Sequence, residues 1–331
     1  MPVPNSYSMD YVRIAEHIVD HTPIKLFSDD LSVKKKREPC IILEHGEIMS
    51  INISQSIMKK MLYKGSARAD FCPRNFYHIE CLREIEETVT ESMNYGMYFE
   101  GKWLGKSADN DVIDLPRDLR TGNKRIDHQR IDDAVDRAKN VAINTEMIII
   151  PKNVQVPMKE LWEDMNEKTR VDDFRVWLTG KADIISPFYS KAHDIEYKTC
   201  VIDVKLAKDK DECHSNNLAP WMSFPWGCPS IMDHTQAMMY SHLFKLPFMY
   251  LIFDYNPRGG IPGWKPLLVK TPEGFPGDND ANIRKFEFYQ NIRNIIGTIL
   301  MLHKQEWPAF QCARCIKCPI RTCEYKLKAI A

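Results

Sequence analysis

Two extended apolar segments, residues 174–187 and 195–206, constrain the fold of this 331-residue chain more than any other feature. Both have the composition of strands, and the residues between them, 189–194, suit a turn. Asp183 lies in the first segment, and Asp203 lies in the second, two residues before Lys205. The sequence therefore predicts a sheet with an acid on each of two consecutive strands and a lysine beside the second acid.

The Asp203-Val204-Lys205 triplet has the spacing of a metal and phosphate site. Residues two apart on a strand leave by the same face, so the carboxylate and the ammonium group can act together. Hydrolysis of a phosphodiester uses a hard divalent ion, such as Mg²⁺ or Mn²⁺, held by one or two carboxylates. Such a triplet also occurs by chance on solvated strand edges, but Val201 and Ile202 precede this one and indicate the rim of a core.

Gln236 and Tyr240 lie four residues apart in a helical pattern, so they share one helix face. The amide can hold a catalytic group in place, and the phenol can reach a phosphate or stack on a base. A purely structural alternative is that Tyr240 packs against Phe244, one turn further on. The position of the pair after the Asp203 triplet favours function.

Glu100 follows the segment Gly96-Met97-Tyr98-Phe99 and is the candidate for a third acidic metal ligand. A surface ion pair is the structural alternative. Glu86, Glu87 and Glu91 lie in the same helical region, so this assignment stays open.

Four cysteines lie within twelve residues near the C-terminus: Cys312, Cys315, Cys318 and Cys323. This spacing lets a tight loop direct several thiolates at one metal centre. The Cys318-Pro319 step is typical of iron-sulfur loops, whereas structural zinc usually takes two pairs of cysteines, so zinc remains the alternative. Cys72-Pro73 is a second Cys-Pro step far upstream, and Cys72 with three terminal cysteines would complete a four-thiolate site. We choose Cys315, Cys318 and Cys323 and leave Cys312 as the extra thiol, while a local site of all four terminal cysteines stays open.

The composition indicates the cellular location of the protein more than it indicates its binding partner. Lys and Arg total 45 and Asp and Glu total 45, so the net charge of zero neither requires nor forbids a polyanionic partner. The sequence has no run of 18 apolar residues and no signal peptide at its start, from which we expect an intracellular, cytoplasmic protein without a membrane partner. Ten cysteines in such a protein do not predict a disulfide framework.

The remaining periodicity predicts helices and strands along most of the chain. We expect helices at 54–62, 76–96, 127–141, 235–244 and 282–304, and strands at 147–151, 174–187, 195–206, 248–253 and 267–270. Residues 1–50 are predicted to be an N-terminal extension.

Taken together, these motifs resemble the RecB-like nuclease family with an iron-sulfur cluster, which includes the CRISPR-associated adaptation nuclease, the nuclease domain of AddB and exonuclease V. The resemblance extends from about residue 54 to the end. It rests on Cys72-Pro73-Arg74, Gly180-x-x-Asp183, Asp203-Val204-Lys205, Gln236-x-x-x-Tyr240 and the terminal cysteines. The family usually has a histidine where this chain has Glu100.

The resemblance implies an α/β fold with a PD-(D/E)xK core, like that of restriction endonucleases: a central mixed sheet flanked by helices, with a helical N-terminal part and a C-terminal cysteine loop. Residues 51–331 would form the nuclease domain, with a loop and helical insertion at 101–150. Asp183 and Asp203 would bind Mg²⁺ or Mn²⁺ together with Glu100, and Lys205 would position the attacking water and stabilise developing charge. Cys72, Cys315, Cys318 and Cys323 would hold a structural 4Fe-4S cluster.

The expected function is a metal-dependent deoxyribonuclease, specifically an exonuclease on single-stranded DNA or free ends, acting in end processing, recombination or repair. A helicase or recombination partner is compatible with that role. Two alternatives remain open: an inactive nuclease fold that binds nucleic acid, and a sequence-specific endonuclease.

Overall fold

A computed structural model describes residues 38–62, 71–85, 91–105, 115, 125–163, 174–208, 234–257, 260–309 and 320. Apart from Glu38, these residues belong to one compact unit, Pro39–Ala331. The fold is mixed α/β, with one seven-stranded sheet and helices on both faces. Within the described part of the chain, no helix is long and apolar enough to cross a membrane.

The strands and helices follow one another in this order: β1 (Ile41–Glu44), β2 (Glu47–Ser54), α1 (Gln55–Leu62), α2 (Pro73–Phe76), α3 (Glu91–Leu104), α4 (Ile126–Asn144), β3 (Val154–Leu161), β4 (Arg175–Ser190), β5 (Ile195–Ala207), α5 (Thr235–Phe244), β6 (Phe248–Asp254), β7 (Trp264–Leu268) and α6 (Asn279–Lys304). A single π-helical turn, Tyr77–Cys81, directly follows α2. The sheet order is β1-β2-β4-β5-β6-β7, and β3 also pairs with β4.

Two hydrophobic clusters cover the two faces of the sheet. One cluster contains buried residues of α1, α5 and α6, and the other contains buried residues of α3 and α4. The helix α4 shows why: Ile131, Ala134, Val135, Ala138 and Ala142 recur at helical spacing and form one buried stripe. All seven residues of β6 are buried, as expected for a strand with a helical layer on each side.

Several predicted segments are close to their observed positions. The hairpin of β4 and β5, the helices α1, α4, α5 and α6, and strand β6 all overlap their predicted ranges. The last strand lies slightly earlier than expected, at Trp264–Leu268. The helical pattern at 76–96 is interrupted, because the π-helical turn ends at Cys81 and residues 82–85 are not helical. The second part of the pattern belongs to α3, Glu91–Leu104.

The sheet starts earlier than the sequence predicted. Residues 41–50, assigned to the N-terminal extension, belong to β1 and β2, and β2 pairs in parallel with β4. The boundary at residue 50 is therefore corrected. Ser50 and Asn52 are buried polar residues in β2, and they obscure the alternation that would have indicated a strand. The strand predicted at 147–151 is also corrected: β3 is Val154–Leu161.

Candidate active site

The strand β4 has a gap on one edge at the Gly180-Lys181-Ala182-Asp183 motif. Its pairs with β2 end at Thr179, and its pairs with β5 begin at Ile184. Among the described strands, residues 180–182 pair with β3 alone. Beyond the Ile184–Ile202 pair, β4 and β5 separate, and the two predicted aspartates lie at this point of separation.

Asp183 occupies the gap in the sheet. Its Oδ2 accepts a hydrogen bond of 2.8 Å from the Val204 backbone N–H, and its Oδ1 accepts one of 3.1 Å from Gln155 Nε2. Ala182 and Ile184 pack into opposite hydrophobic clusters although they are two residues apart, so β4 changes the face that it presents to each core at Asp183. Gln155, which lies across from Asp183 on the paired strand β3, has a positive φ of 53°. Both strands are therefore irregular where the acid is held.

Asp203 lies beside Asp183 on β5 and is 2% exposed. Gln236, at the start of α5, donates to Asp203 Oδ1 at 2.5 Å, and Lys205 Nζ forms an ion pair with Asp203 Oδ2. Apart from that ion pair, Oδ2 is buried without a hydrogen-bond partner among the described residues. The predicted Asp203, Lys205 and Gln236 therefore form one contact network.

Tyr240 reaches the same place from the next turn of α5. Its hydroxyl has a hydrogen bond with the backbone of Lys181, inside the gap of β4. Burial raises the pKa of Tyr240, and the charges of Asp203 and Asp183 raise it further, so the phenol keeps its proton. Gly180 makes this approach possible, because a Cβ there would lie 3.0 Å from Tyr240 Cε1 and 2.7 Å from Leu243 Cδ1.

Glu100 approaches from α3 on the other layer. Burial raises its pKa to about 9, and the charges of Asp183 and Asp203 act in the same direction. Burial likewise raises the pKa of Asp203 to about 7, an effect that Lys205 partly offsets. The structure thus brings the third predicted acid into the field of the first two.

Lys205 is the cation at the centre of these acids. Burial alone would lower its pKa, but the carboxylates of Asp203 and Asp183 outweigh that effect and raise it. The ammonium group therefore stays protonated near neutral pH. Lys205 can stabilise negative charge there, but it does not act as a base in this state.

The donor set fits a hard divalent ion. Asp183, Asp203 and Glu100 share the charges of Lys205 and Lys181, and their raised pKa values show that the site does not hold all three as carboxylates without further positive charge. Among the described residues, no group of three or more His, Cys, Asp or Glu side chains is arranged to hold a metal unaided. Mg²⁺ commonly takes one or two carboxylates and completes its shell with water and phosphate oxygens, so Asp183 and Asp203 satisfy that requirement.

Sequence reasoning missed two members of the site. Gln155 holds Asp183, yet it lies in a strand that the sequence placed elsewhere. Lys181 was visible inside the Gly180 motif but received no role, although its charge acts on both Asp183 and Glu100. Its alternation with Asp183 along a predicted strand was the available signal.

Of the predicted cluster cysteines, only Cys72 lies within the described residues. It is buried at the start of α2. Cys315, Cys318 and Cys323, with the extra Cys312, lie outside the described residues. Cys40, Cys81 and Cys200 are buried free thiols, as expected for ordinary core cysteines.

Residues near the C-terminal cysteines pack against the segment that follows Cys72. Trp307 stacks on Tyr77 at 4.9 Å and on Phe76 at 6.1 Å between ring centroids. Ile320, between two of the predicted ligands in sequence, is buried against Ile85 and Ala309. Both contacts join the end of the chain to the segment that follows Cys72.

Comparison with known proteins gives little beyond this geometry. No protein-family model matches the chain, and no curated protein matches it in sequence. A similar solved structure is a crystal structure of a "Putative exonuclease" from Eubacterium rectale, with a TM-score of 0.48 and 13% sequence identity. The similarity covers 82% of this chain and 88% of that one. At so low an identity and TM-score, the evidence for a function lies in the geometry of the site itself.

Proposed function

We propose that this chain is a metal-dependent deoxyribonuclease with a PD-(D/E)xK core, and specifically an exonuclease on single-stranded DNA ends. The observation that supports it most is the contact network in the gap of β4. There Gln236 and Lys205 hold the two oxygens of Asp203, while Asp183 lies beside it under the Val204 N–H. A purely structural ion pair would not need three acids around one or two lysines.

Asp183 and Asp203 would hold Mg²⁺ or Mn²⁺, with Glu100 as the third acidic ligand. When bound, such an ion neutralises phosphate oxygens and promotes attack by water. Its charge would also compensate the excess of carboxylates, which explains why the site can retain them. Oxygen donors of this kind favour Mg²⁺ or Mn²⁺ over softer metals.

The chain's own groups divide the remaining work. Lys205, protonated and partly exposed, presents positive charge to the phosphate that undergoes attack. Gln236 fixes the orientation of Asp203 through its amide N–H. Tyr240, as a neutral phenol, can donate to a phosphate oxygen from the edge of the gap.

We further propose that Cys72, Cys315, Cys318 and Cys323 hold a structural 4Fe-4S cluster, with zinc as the less favoured occupant. The support is the packing of Trp307 on Tyr77 and of Ile320 on Ile85, which joins the terminal segment to the region after Cys72. Such a site would link two segments about 240 residues apart, so its binding energy would favour the closed chain.

The nuclease proposal is tested with single-stranded DNA labelled at the 5′ or the 3′ end, incubated with the protein and Mn²⁺. We expect progressive shortening from one end by the unmodified protein and loss of cleavage in Lys205→Ala. Lys198→Ala, which removes an exposed lysine from the start of β5, is the matched control and should cleave normally. Absence of cleavage by the unmodified protein on linear and circular substrates would refute the proposal.

The cluster proposal is tested by metal analysis and visible absorbance of protein purified without oxygen. We expect about four iron atoms per chain and a brown colour from thiolate-to-iron charge transfer, both lost in Cys72→Ser. Cys200→Ser changes an equally buried cysteine and should retain the iron. Stoichiometric zinc without iron would refute the 4Fe-4S cluster and indicate a zinc site instead.

A further inference from the structure

One face of the first half of β4 is partly exposed beside the candidate active site. Val176, Leu178 and Ala182 are buried in the core cluster, so the alternate positions of the strand point away from it. Those positions hold Arg175, Trp177, Thr179 and Lys181. Arg175 is exposed and the other three are partly exposed.

The neighbouring strand β3 extends this face. Lys159 pairs with Thr179 and Leu161 pairs with Trp177 in the antiparallel register, so their side chains share the face. Lys159 is exposed, and its Nζ lies 5.1 Å from the centre of the Trp177 ring. We call Lys159, Arg175, Trp177, Thr179 and Lys181 the tryptophan face.

Three of the five members of the tryptophan face are basic, and none of the five is acidic. Glu160 of β3 lies on the opposite face, where it pairs with Lys245. Its last member, Lys181, lies close enough to Asp183 and Glu100 for its charge to act on the pKa of both. The face therefore leads directly into the acidic site.

We propose that the tryptophan face binds the single-stranded nucleic acid next to the phosphate that is cleaved, with one base stacked on Trp177 and the phosphates paired with Arg175, Lys159 and Lys181. This inference rests on the proposed nuclease function. An aromatic ring accepts any unpaired base, and basic groups beside it follow the backbone, which is how proteins bind single strands without sequence preference. A duplex does not offer unstacked bases to such a ring.

The dimensions of the face suit a short stretch of strand. Trp177 and Asp183 are six residues apart on β4, or about 20 Å at the usual rise per residue. A stacked strand rises about 3.4 Å per nucleotide along its axis, and an extended strand rises further, so the face spans several nucleotides. An acidic peptide would satisfy the basic residues but would leave Trp177 without a stacking partner.

The experiment measures binding of fluorescein-labelled oligothymidylate by fluorescence anisotropy in EDTA, where no cleavage occurs. We expect Trp177→Ala to weaken binding about tenfold, and Trp177→Phe to retain most of the affinity, because stacking needs only an aromatic ring. Arg175→Ala should weaken binding and reduce the dependence of affinity on salt by about 0.7 in the log-log slope, the value expected for one phosphate contact. Thermal melting checks that each variant is folded.

The matched controls are Trp264→Ala and Lys198→Ala. Trp264 is a partly exposed tryptophan on β7 that packs toward the α3 and α4 cluster, and Lys198 is an exposed lysine on β5. Neither belongs to the tryptophan face, so both variants should bind as the unmodified protein does. Equal loss of affinity in the controls and in Trp177→Ala would overturn the proposal.

Two further measurements separate this inference from the nuclease proposal. The small diester bis(p-nitrophenyl) phosphate has no strand that could lie on the tryptophan face. Trp177→Ala should therefore still hydrolyse it, whereas Lys205→Ala should not. Unchanged oligothymidylate binding by Trp177→Ala together with normal cleavage would refute the face alone, whereas no hydrolysis by any variant would refute the enzyme. Displacement of the oligonucleotide by polyglutamate as readily as by unlabelled DNA would indicate an acidic-peptide surface and would overturn the proposal.

Discussion

Two buried groups of charges in this molecule differ in how their acids are balanced. Glu80, 4% exposed in the turn after α2, contacts both Lys60 and Arg83, the latter at 2.8 Å. In the gap of β4, by contrast, Asp183, Asp203 and Glu100 share Lys205 and Lys181. At Glu80 one acid contacts two cations, whereas in the gap of β4 three acids share two cations.

The difference is the one expected between a structural ion pair and the proposed metal site. A buried acid that is fully paired costs little once formed, and it holds together the segments that supply its partners. An excess of buried acids is unfavourable without a further cation, so its persistence points to a ligand that supplies positive charge. Replacing an acid should therefore have opposite consequences at the two places.

The largest expected effect is the loss of cleavage in Asp203→Asn. Removing this carboxylate takes away a proposed metal ligand and the partner of Lys205, and we expect the rate of DNA cleavage to fall about 1,000-fold, or about 4 kcal/mol in activation free energy. The free energy of unfolding should not fall, because the site loses one of its repelling charges. Single-turnover cleavage and urea unfolding measure the two quantities. A fall in stability above about 2 kcal/mol would show that Asp203 is a structural acid like Glu80.

Glu80→Gln should show the reverse pattern. It leaves Lys60 and Arg83 without their buried carboxylate, and we expect the free energy of unfolding to fall by about 3 kcal/mol. Cleavage per folded molecule should stay unchanged. Glu196→Gln, at an exposed position of β5, is the control and should change stability by less than about 0.5 kcal/mol. If the two variants are equally stable in urea, the Glu80 contacts are not structural.

His242 on α5 is a third kind of buried ionisable group, because it is neutral and needs no charged partner. Burial lowers its pKa to about 4, and Lys245 and Lys285 add to that effect. The Glu160 carboxylate, 3.7 Å from His242 Nε2, favours the protonated form, but Glu160 is already paired with Lys245, so we take the lowered pKa as the net result.

This predicts a loss of stability in acid. The unfolded chain takes up a proton near pH 6.5, before the folded chain does, so the contribution of neutral His242 is fully present above pH 6.5 and disappears as the pH falls toward 4. The two pKa values differ by about 2.5, which corresponds to an expected loss of about 3 kcal/mol. Urea unfolding across this range should show a shallower pH dependence in His242→Gln than in the unmodified protein. If the free energy of unfolding of His242→Gln depends on pH as steeply as that of the unmodified protein, the acid sensitivity comes from other groups.

The sequence predicted which side chains come together better than it predicted the sheet around them. The structure places six predicted residues near one another: Asp183, Asp203, Lys205, Gln236, Tyr240 and Glu100. The strands β1, β2 and β3 were missed or misplaced. Buried Ser50 and Asn52 disguise β2, and the apolar residues 147–150 imitate a strand just before β3.

The local irregularities could not be read from the sequence at all. The change of face at Asp183 and the positive φ of Gln155 depend on how three strands meet, which no single segment encodes. Gln155 was consequently absent from the predicted site. The metal ligands and the cluster cysteines stay predictions, since their roles depend on bound ions and on residues outside the described part of the chain.

The smallest expected effect tests the contact that lets α5 approach the gap. In Gly180→Ala the new methyl group would lie 2.7 Å from Leu243 Cδ1 and 3.0 Å from Tyr240 Cε1, so the Leu243 side chain and the Tyr240 ring must move. We expect a loss of about 1 kcal/mol in the free energy of unfolding and a fall in cleavage of about tenfold, because Tyr240 is displaced from its place in the gap of β4.

Gly297→Ala is the matched control for this substitution. Gly297 lies inside α6, and a Cβ there would have no atom within 4 Å, so alanine should raise the stability by up to about 1 kcal/mol through its higher helix propensity. Opposite signs for the two substitutions, measured in urea, would show that glycine at 180 is retained for close packing. If Gly180→Ala instead gains stability and keeps full cleavage, α5 does not need to approach β4 this closely, and the position of Tyr240 is not what the site depends on.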